Sequence, residues 1–315
     1  MKVRPDDSKP AIVTMATSPK QAGETHDRWG WVEHAVWTTR MLIRLAQSEL
    51  QTKWFALWDK VWMEANLLNA YYCVWRNDGA PGVDGQTVRQ FDRQQSEQLA
   101  KLQRELRTGS YQAQPARRVW IPKPGTQEQR PLGIPVIRDR VVQTALRNVL
   151  EPIFEQDFAE TSYGFRPGRG CQQAVARVEA LLRAGHIWCV DADLKSYFDT
   201  IPHEQLMRLI KERIVDGKVL ALLEQYLKAG VLEELKGWQP TEKGTPQGAV
   251  ISPLLANLYL NPLDHAVARQ GWEWCATRTT LLCSVELKLR PKRCWNIYAN
   301  GQAKQDSPCI RTKRA

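Results

Sequence analysis

A chain of 315 residues, 43% hydrophobic and 25% charged, can bury the core of two domains or of one large domain with extensions. No apolar run reaches bilayer-spanning length and the polar N-terminus has no secretory h-region, so the sequence reads as cytoplasmic, with no membrane partner. The net charge of +10 suggests a polyanionic partner only weakly, because seven of those ten charges fall in residues 275–315.

In chain order, residues 1–38 read as a disordered or weakly ordered segment, rich at first in Ser, Thr, Lys, Pro and Asp. Residues 39–110 form a helical segment. Leu42, Leu45, Leu50, Trp54, Trp58, Trp62 and Leu67 recur at helical spacing, predicting two helices that end at Asn77-Asp78-Gly79. A polar-faced helix over Phe91–Leu106 follows, closed by Gly109. Residues 111–185 begin with strands at Arg117–Pro122 and Arg130–Val136 around Lys123-Pro124-Gly125, and continue with helices at Ile137–Phe154 and Gln172–Leu182. Residues 186–274 open on a short apolar strand, Ile187–Leu194, before helices at His203–Ile214, Val219–Leu227 and Ile251–Ala268. The pattern is mixed α/β, with helices packed against a sheet. Residues 275–315 show no helical or alternating period.

Cys275, Cys283, Cys294 and Cys309 lie in that last stretch without a CxxC or Cys/His pair, which argues against zinc. Cys73, Cys171 and Cys189 read as buried thiols of a reduced protein. Of the thirteen tryptophans, eight lie between Trp29 and Trp120; those at helical spacing read as core, with a minority available to stack on bases.

The chemistry concentrates at Ala192-Asp193-Leu194-Lys195-Ser196-Tyr197-Phe198-Asp199 and at Gly244-Thr245-Pro246-Gln247-Gly248. Two-metal nucleotidyl transfer needs carboxylates that hold a pair of Mg²⁺ ions roughly 4 Å apart. Asp191 and Asp193 are two apart on a strand and share a face; Asp193 is the candidate catalytic residue and metal ligand, and Leu194 can add its carbonyl to the metal. Phe198 can lie under the sugar and exclude a 2′-hydroxyl. The competing reading is a strand end with a capping Asp, and Asp199 as a turn residue. Lys123 and Arg130 flank the hairpin where two cations can hold a triphosphate, or are solvated surface charges. Arg166 and Arg169, within Tyr163-Gly164-Phe165-Arg166-Pro167-Gly168-Arg169-Gly170, suit an RNA surface, or a packed loop before a helix. Gln247 can reach a nucleotide, with Gly248 allowing close approach; alone, that turn is weak evidence.

Taken together, these blocks resemble the group II intron-encoded reverse transcriptase/maturases. The likeness runs from about Trp54 to Asp264, through Gly82-Val83-Asp84-Gly85, Ile121-Pro122-Lys123, Arg130-Pro131-Leu132-Gly133-Ile134-Pro135, Tyr163–Gly170, Asp193–Asp199 and Gly244–Pro253, in the family's order. The resemblance implies right-hand polymerase fingers over 111–185, a partial palm over 186–274 and a helical N-terminal extension, with the thumb/maturase region absent. It also implies Mg²⁺, deoxynucleoside triphosphates, intron RNA and a DNA target as cofactor, substrates and partners.

The pattern breaks after Trp272-Glu273-Trp274. There the family expects Val-Arg-Tyr-Ala-Asp-Asp-Phe, and the chain reads Cys275-Ala276-Thr277-Arg278-Thr279-Thr280-Leu281. Codons TGG GTG CGC TAC GCG GAC GAC TTT, with one G lost from the GGG run, reproduce Trp274 to Thr280 and begin Leu281. The same offset in Cys309–Ala315 conceals His-Pro-(Thr or Asp)-Lys-Thr-Arg, a later family block. Residues 275–315 therefore read as an out-of-frame tail, from a one-base deletion or a sequencing error; a divergent but genuine C-terminus is the competing reading. The expectations are an RNA-directed DNA polymerase by family that is catalytically inactive in this copy. Beside it stand a non-catalytic RNA-binding splicing cofactor, an inactive pseudogene fragment and a retron- or CRISPR-linked reverse transcriptase. With the Asp-Asp hairpin gone, the strand at Ile187, Trp188 and Val190 is expected to expose an unpaired apolar edge.

Overall fold

The computed structural model describes residues 28–122, 125, 127–186, 188–194, 196–270, 273–276, 280–285 and 309–314. At 188–193, 273–274, 280–285 and 309–314 it defines the main chain alone. Lys123, Lys195 and Ile187 lie outside the described residues.

The N-terminal helices are α1 (Thr39–Gln47), α2 (Trp58–Trp62), α3 (Glu64–Asn77), α4 (Val88–Arg93) and α5 (Gln95–Thr108). Local chemistry sets their ends. Asp78 takes a left-handed conformation after α3, Thr87 and Gln90 form a reciprocal capping box on α4, and Gly109 closes α5 at φ 77°. The long helix α6 (Ile137–Glu155) is the axis of the core. Ile137, Val141, Val142, Ala145, Leu146, Val149 and Ile153 are fully buried, because α3 packs along it with Leu67, Ala70, Tyr71 and Val74. The expected boundary at residue 38 falls too late. Trp29, Val32, Val36 and Trp37 are already buried in this core, and Trp37 donates its indole N–H to Asn148 O at 3.2 Å. Large apolar residues in an otherwise polar stretch were the overlooked signal.

The fingers are a four-stranded sheet in the order β2-β1-β4-β5, built from β1 (Ala116–Pro122), β2 (Gln129–Ile134), β4 (Val231–Glu233) and β5 (Gly237–Gln239). The β1–β2 hairpin matches expectation, with Ile121 opposite Arg130. The three-residue strands β4 and β5 were not foreseen, since β4 pairs in parallel with β1 across more than a hundred residues of chain.

After α7 (Cys171–Arg183) comes β3 (Trp188–Asp193), then α8 (Tyr197–Thr200), α9 (His203–Arg213), α10 (Gly217–Lys228) and α11 (Ser252–Arg269). The palm sheet has the order β6-β7-β3-β8, with β6 (Glu273–Ala276), β7 (Thr280–Val285) and β8 (Cys309–Arg314). The expected uncovered edge is not what forms: β3 is antiparallel to β7 on one side and to β8 on the other, over its whole length. A ladder is made by main-chain N–H and C=O groups, so Leu281, Leu282, Cys283 and Val285 can supply it whatever the reading frame. The whole is mixed α+β. Among the described residues no helix is long and apolar enough to cross a membrane.

Asp216 joins the N-terminal helices to the palm. One carboxylate oxygen accepts the N–H groups of Leu57 and Trp58 at 2.8 and 2.9 Å, and the other caps α10 through Lys218 and Val219 at 3.1 and 3.2 Å. Cys73 is half-buried and Cys171 exposed, so the expectation of a buried thiol fails for Cys171, which begins α7 on its solvent side.

Two acids on α6 make stability pH-dependent. Burial pushes the Glu151 carboxyl up to about 7, against the pull of Arg147, whose Nε lies 3.7 Å away, and it pushes Asp139 up to about 6. A carboxyl with a raised pKa contributes fully below its unfolded value, 4.5 for Glu151, and that contribution is lost as pH rises through about 7. Stability measured by urea unfolding should therefore fall between pH 4.5 and 7 by about 2–3 kcal/mol more in the parent than in Glu151→Gln, which mimics the protonated form. Parallel pH profiles would show that Glu151 titrates normally.

Candidate nucleotide and RNA site

The loop after β3 sets the site. Ser196 takes a left-handed conformation (φ 51°, ψ 34°), and the short α8 then presents Tyr197, Phe198 and Asp199. Tyr197 is buried and donates its hydroxyl to Ala256 O at 2.7 Å, fixing α8 on α11. Phe198 is half-buried and meets the ring of Phe165 edge-on, with centroids 6.1 Å apart. Phe165 itself adopts φ 55°, which is costly for an aromatic residue.

The Gly244–Gly248 turn is clamped against α8. Gly244 N–H donates to Ile201 O and Thr245 N–H to Phe198 O, each at 2.7 Å, while His203 Nε2 lies 2.6 Å from Gly244 O. At Gly244 (φ 83°) a Cβ would lie 2.7 Å from Asp199 O, and at Gly248 (φ 106°) it would lie 2.8 Å from Leu132 Cδ1 and 2.9 Å from Gly133 O. The turn also grips the fingers, for Gly133 N–H donates to Gln247 O at 2.6 Å. Gln143 on α6 completes the support by accepting Val250 N–H at 2.9 Å.

The structure thus brings Phe198, Gln247 and Gly248 together, beside strand β2. Gln247 Nε2 donates to Asp199 Oδ2 at 3.0 Å, which turns the carbonyl end of its amide the other way. Burial raises the Asp199 carboxyl, opposed by the Arg118 guanidinium and the Gln247 bond. Arg118 and His203 are the members that motif reading missed, while Asp199 and Phe165 stood inside its blocks without a role of their own. Asp199 looked like a turn residue, and the others become neighbours only through the fold. Arg130 is exposed at the far end of β2. Lys123 lies outside the described residues.

The RNA-binding expectation fails for Arg166. Its side chain is buried, with Nε and Nη2 bound to Glu155 at 2.7–3.2 Å and Nη1 donating to Ala159 O and Ser162 O at 2.6 and 2.9 Å. A guanidinium spent inside the fold positions its loop and contacts no phosphate. Arg169 bonds Glu160 and stacks over Tyr163, and its side chain remains 23% exposed.

Asp191 and Asp193 fall on one face of β3 by strand alternation, and Leu194 just beyond is buried. Asp193 stands opposite Thr280 of β7 and Cys309 of β8, and neither of those strands carries a carboxylate. Among the described residues no three His, Cys, Asp or Glu side chains gather as a metal site. A pair of hard Mg²⁺ ions requires more carboxylate oxygen than one strand with a Thr and a Cys as neighbours supplies. Among the described residues the donor set does not complete the two-ion centre.

Residues 121–283 match the reverse transcriptase (RNA-dependent DNA polymerase) family, and the chain belongs to it. Enzymes of this family generally use divalent metal ions. Protein YkfC of Escherichia coli K12 is 44% identical over 189 residues, 59% of this chain and 49% of its own length. The group II intron-encoded protein LtrA of Lactococcus lactis subsp. cremoris is 41% identical over 202 residues, 63% of this chain and 33% of its own. The chain therefore spans about half of one relative and a third of the other. A solved partial Cas6-RT-Cas1–Cas2 complex shares 22% identity at a TM-score of 0.47, over 72% of this chain and 38% of that one. The similarity to LtrA agrees with the resemblance carried by the motifs.

Proposed function

We propose that this chain is a group II intron-type reverse transcriptase by descent that retains RNA binding and has lost DNA synthesis. One observation carries the reading. In the one-base-shifted text, Thr279 and Thr280 occupy the positions of the two Asp codons, and Thr280 stands directly opposite Asp193 in the palm ladder. The residue changed by the shift is thus the one that pairs with the retained catalytic candidate. Supporting retained binding, Phe198, Gln247 and Gly248 lie together beside β2, whose far end carries the exposed Arg130. Intron RNA is the partner this reading favours, with deoxynucleoside triphosphates and a DNA target as what the family resemblance implies.

Primer extension on an RNA template with Mg²⁺ and all four deoxynucleotides, using the purified 315-residue chain, tests it. No cDNA above a no-enzyme control is expected, together with measurable RNA binding in a filter assay. Robust Mg²⁺-dependent synthesis would refute the loss of activity, and absence of RNA binding would refute the retained function.

A further inference from the structure

We propose that Trp120 is a stacking platform for an unpaired base of single-stranded RNA, at the outer edge of the nucleotide corner; this rests on the RNA-binding reading above. Strand alternation places Arg118 and Trp120 on one face of β1, opposite Gly133 and Pro131 of β2. That face abuts the palm: a Cβ on Gly133 would lie 2.7 Å from Pro246 Cβ, and the charge of Arg118 acts on Asp199. Trp120 lies two residues further out, roughly 7 Å along the strand.

The ring is fixed yet uncovered. Its N–H donates to Glu233 Oε1 at 3.2 Å, so the polar edge of the indole is already satisfied, while the side chain stays 44% exposed. The Arg118 guanidinium sits 6.0 Å from the ring centroid. Glu233 does not make the spot acidic, because Lys236 Nζ pairs with the same oxygen at 3.1 Å. Residues 116–134 carry four cations against the single acid Glu128. An immobilised aromatic face with cationic neighbours suits a base followed by its phosphate, since stacking tolerates any base and the charge holds the backbone. A duplex buries every base face but those of its two terminal pairs and so offers little to stack on. Trp238 supplies an internal comparison. It is 53% exposed, but its register with Leu232 and Arg117 puts it on the opposite face of the same sheet, with its N–H on Ala229 O at 3.1 Å.

The test is equilibrium binding of the full chain to three fluorescein-labelled probes: a 12-nucleotide single-stranded RNA, the same strand with abasic positions, and a blunt RNA duplex. Trp120→Ala is expected to weaken single-strand binding on the order of ten-fold, with Trp120→Phe recovering most of it. Abasic and duplex binding should be unchanged in Trp120→Ala, as should single-strand binding in Trp238→Ala. The slope of log K against log salt should stay the same in Trp120→Ala and fall by about one in Arg118→Ala. Equal affinity of parent and Trp120→Ala for the single strand overturns the proposal, as does equal loss on the abasic strand. Failure of the parent to bind any of the three overturns the RNA-binding reading and the platform with it.

Discussion

Inserting one guanine after the Trp274 codon is expected to lengthen the product beyond residue 315 and to create Mg²⁺-dependent cDNA synthesis where none is expected of the present chain. The shift would place Asp codons at positions 279 and 280, and position 280 already faces Asp193 across the β3–β7 ladder. Loss of metal ligands removes several kcal/mol of transition-state stabilisation, and each 1.36 kcal/mol is ten-fold, so the recovery should reach at least about a thousand-fold. Measurement is by primer extension on a defined RNA template, beside the unaltered chain. A restored frame that stays silent while binding RNA as before would mean that a second lesion lies elsewhere. A restored frame that yields no longer product would remove the frame-shift account altogether.

The second large effect is on stability. Arg166→Ala should lower the unfolding free energy by about 3–5 kcal/mol, because it leaves the mostly buried Glu155 carboxylate, 13% exposed, and the carbonyls of Ala159 and Ser162 without their donor. Arg169→Ala breaks a bond to Glu160, whose side chain is 86% exposed, and should cost no more than about 1 kcal/mol. Urea midpoints of the two variants decide between the roles. Comparable small losses, with RNA affinity falling in Arg166→Ala, would return Arg166 to the RNA surface. The expected pattern is the reverse. The loop that Arg166 anchors also carries Phe165, whose left-handed backbone persists only if that loop is held, here by the Asn257 side chain donating to Gly164 O at 2.8 Å.

Most helices were legible because their determinants are local. Apolar spacing marked α6 and α11, and Gly109 and the Asn77-Asp78-Gly79 turn marked the ends of α5 and α3. The polymerase blocks were legible for the same reason: each is a run of at most ten residues whose turn chemistry and charged or aromatic residues are local. Arg166 and Arg169 shared one motif and one expectation, yet one is buried and the other partly exposed. Burial depends on Glu155, eleven residues upstream on α6, and a run of eight residues does not contain it.

Amino-acid order alone thus determined the family blocks, the placing of Asp191 and Asp193 on one strand face, and a Cys275–Leu281 run where the resemblance expects an Asp-Asp hairpin. Tertiary structure alone decided which groups meet. It joined Gln247 to Asp199, Gly248 to Leu132, β4 to β1, and Thr280 to the position opposite Asp193. It also closed β3 on both sides with strands from a stretch that has no hydrophobic period. Side-chain patterning encodes which face of an element is buried. Strand pairing is carried by main-chain groups that every residue but proline shares, so only the assembled chain shows where it forms.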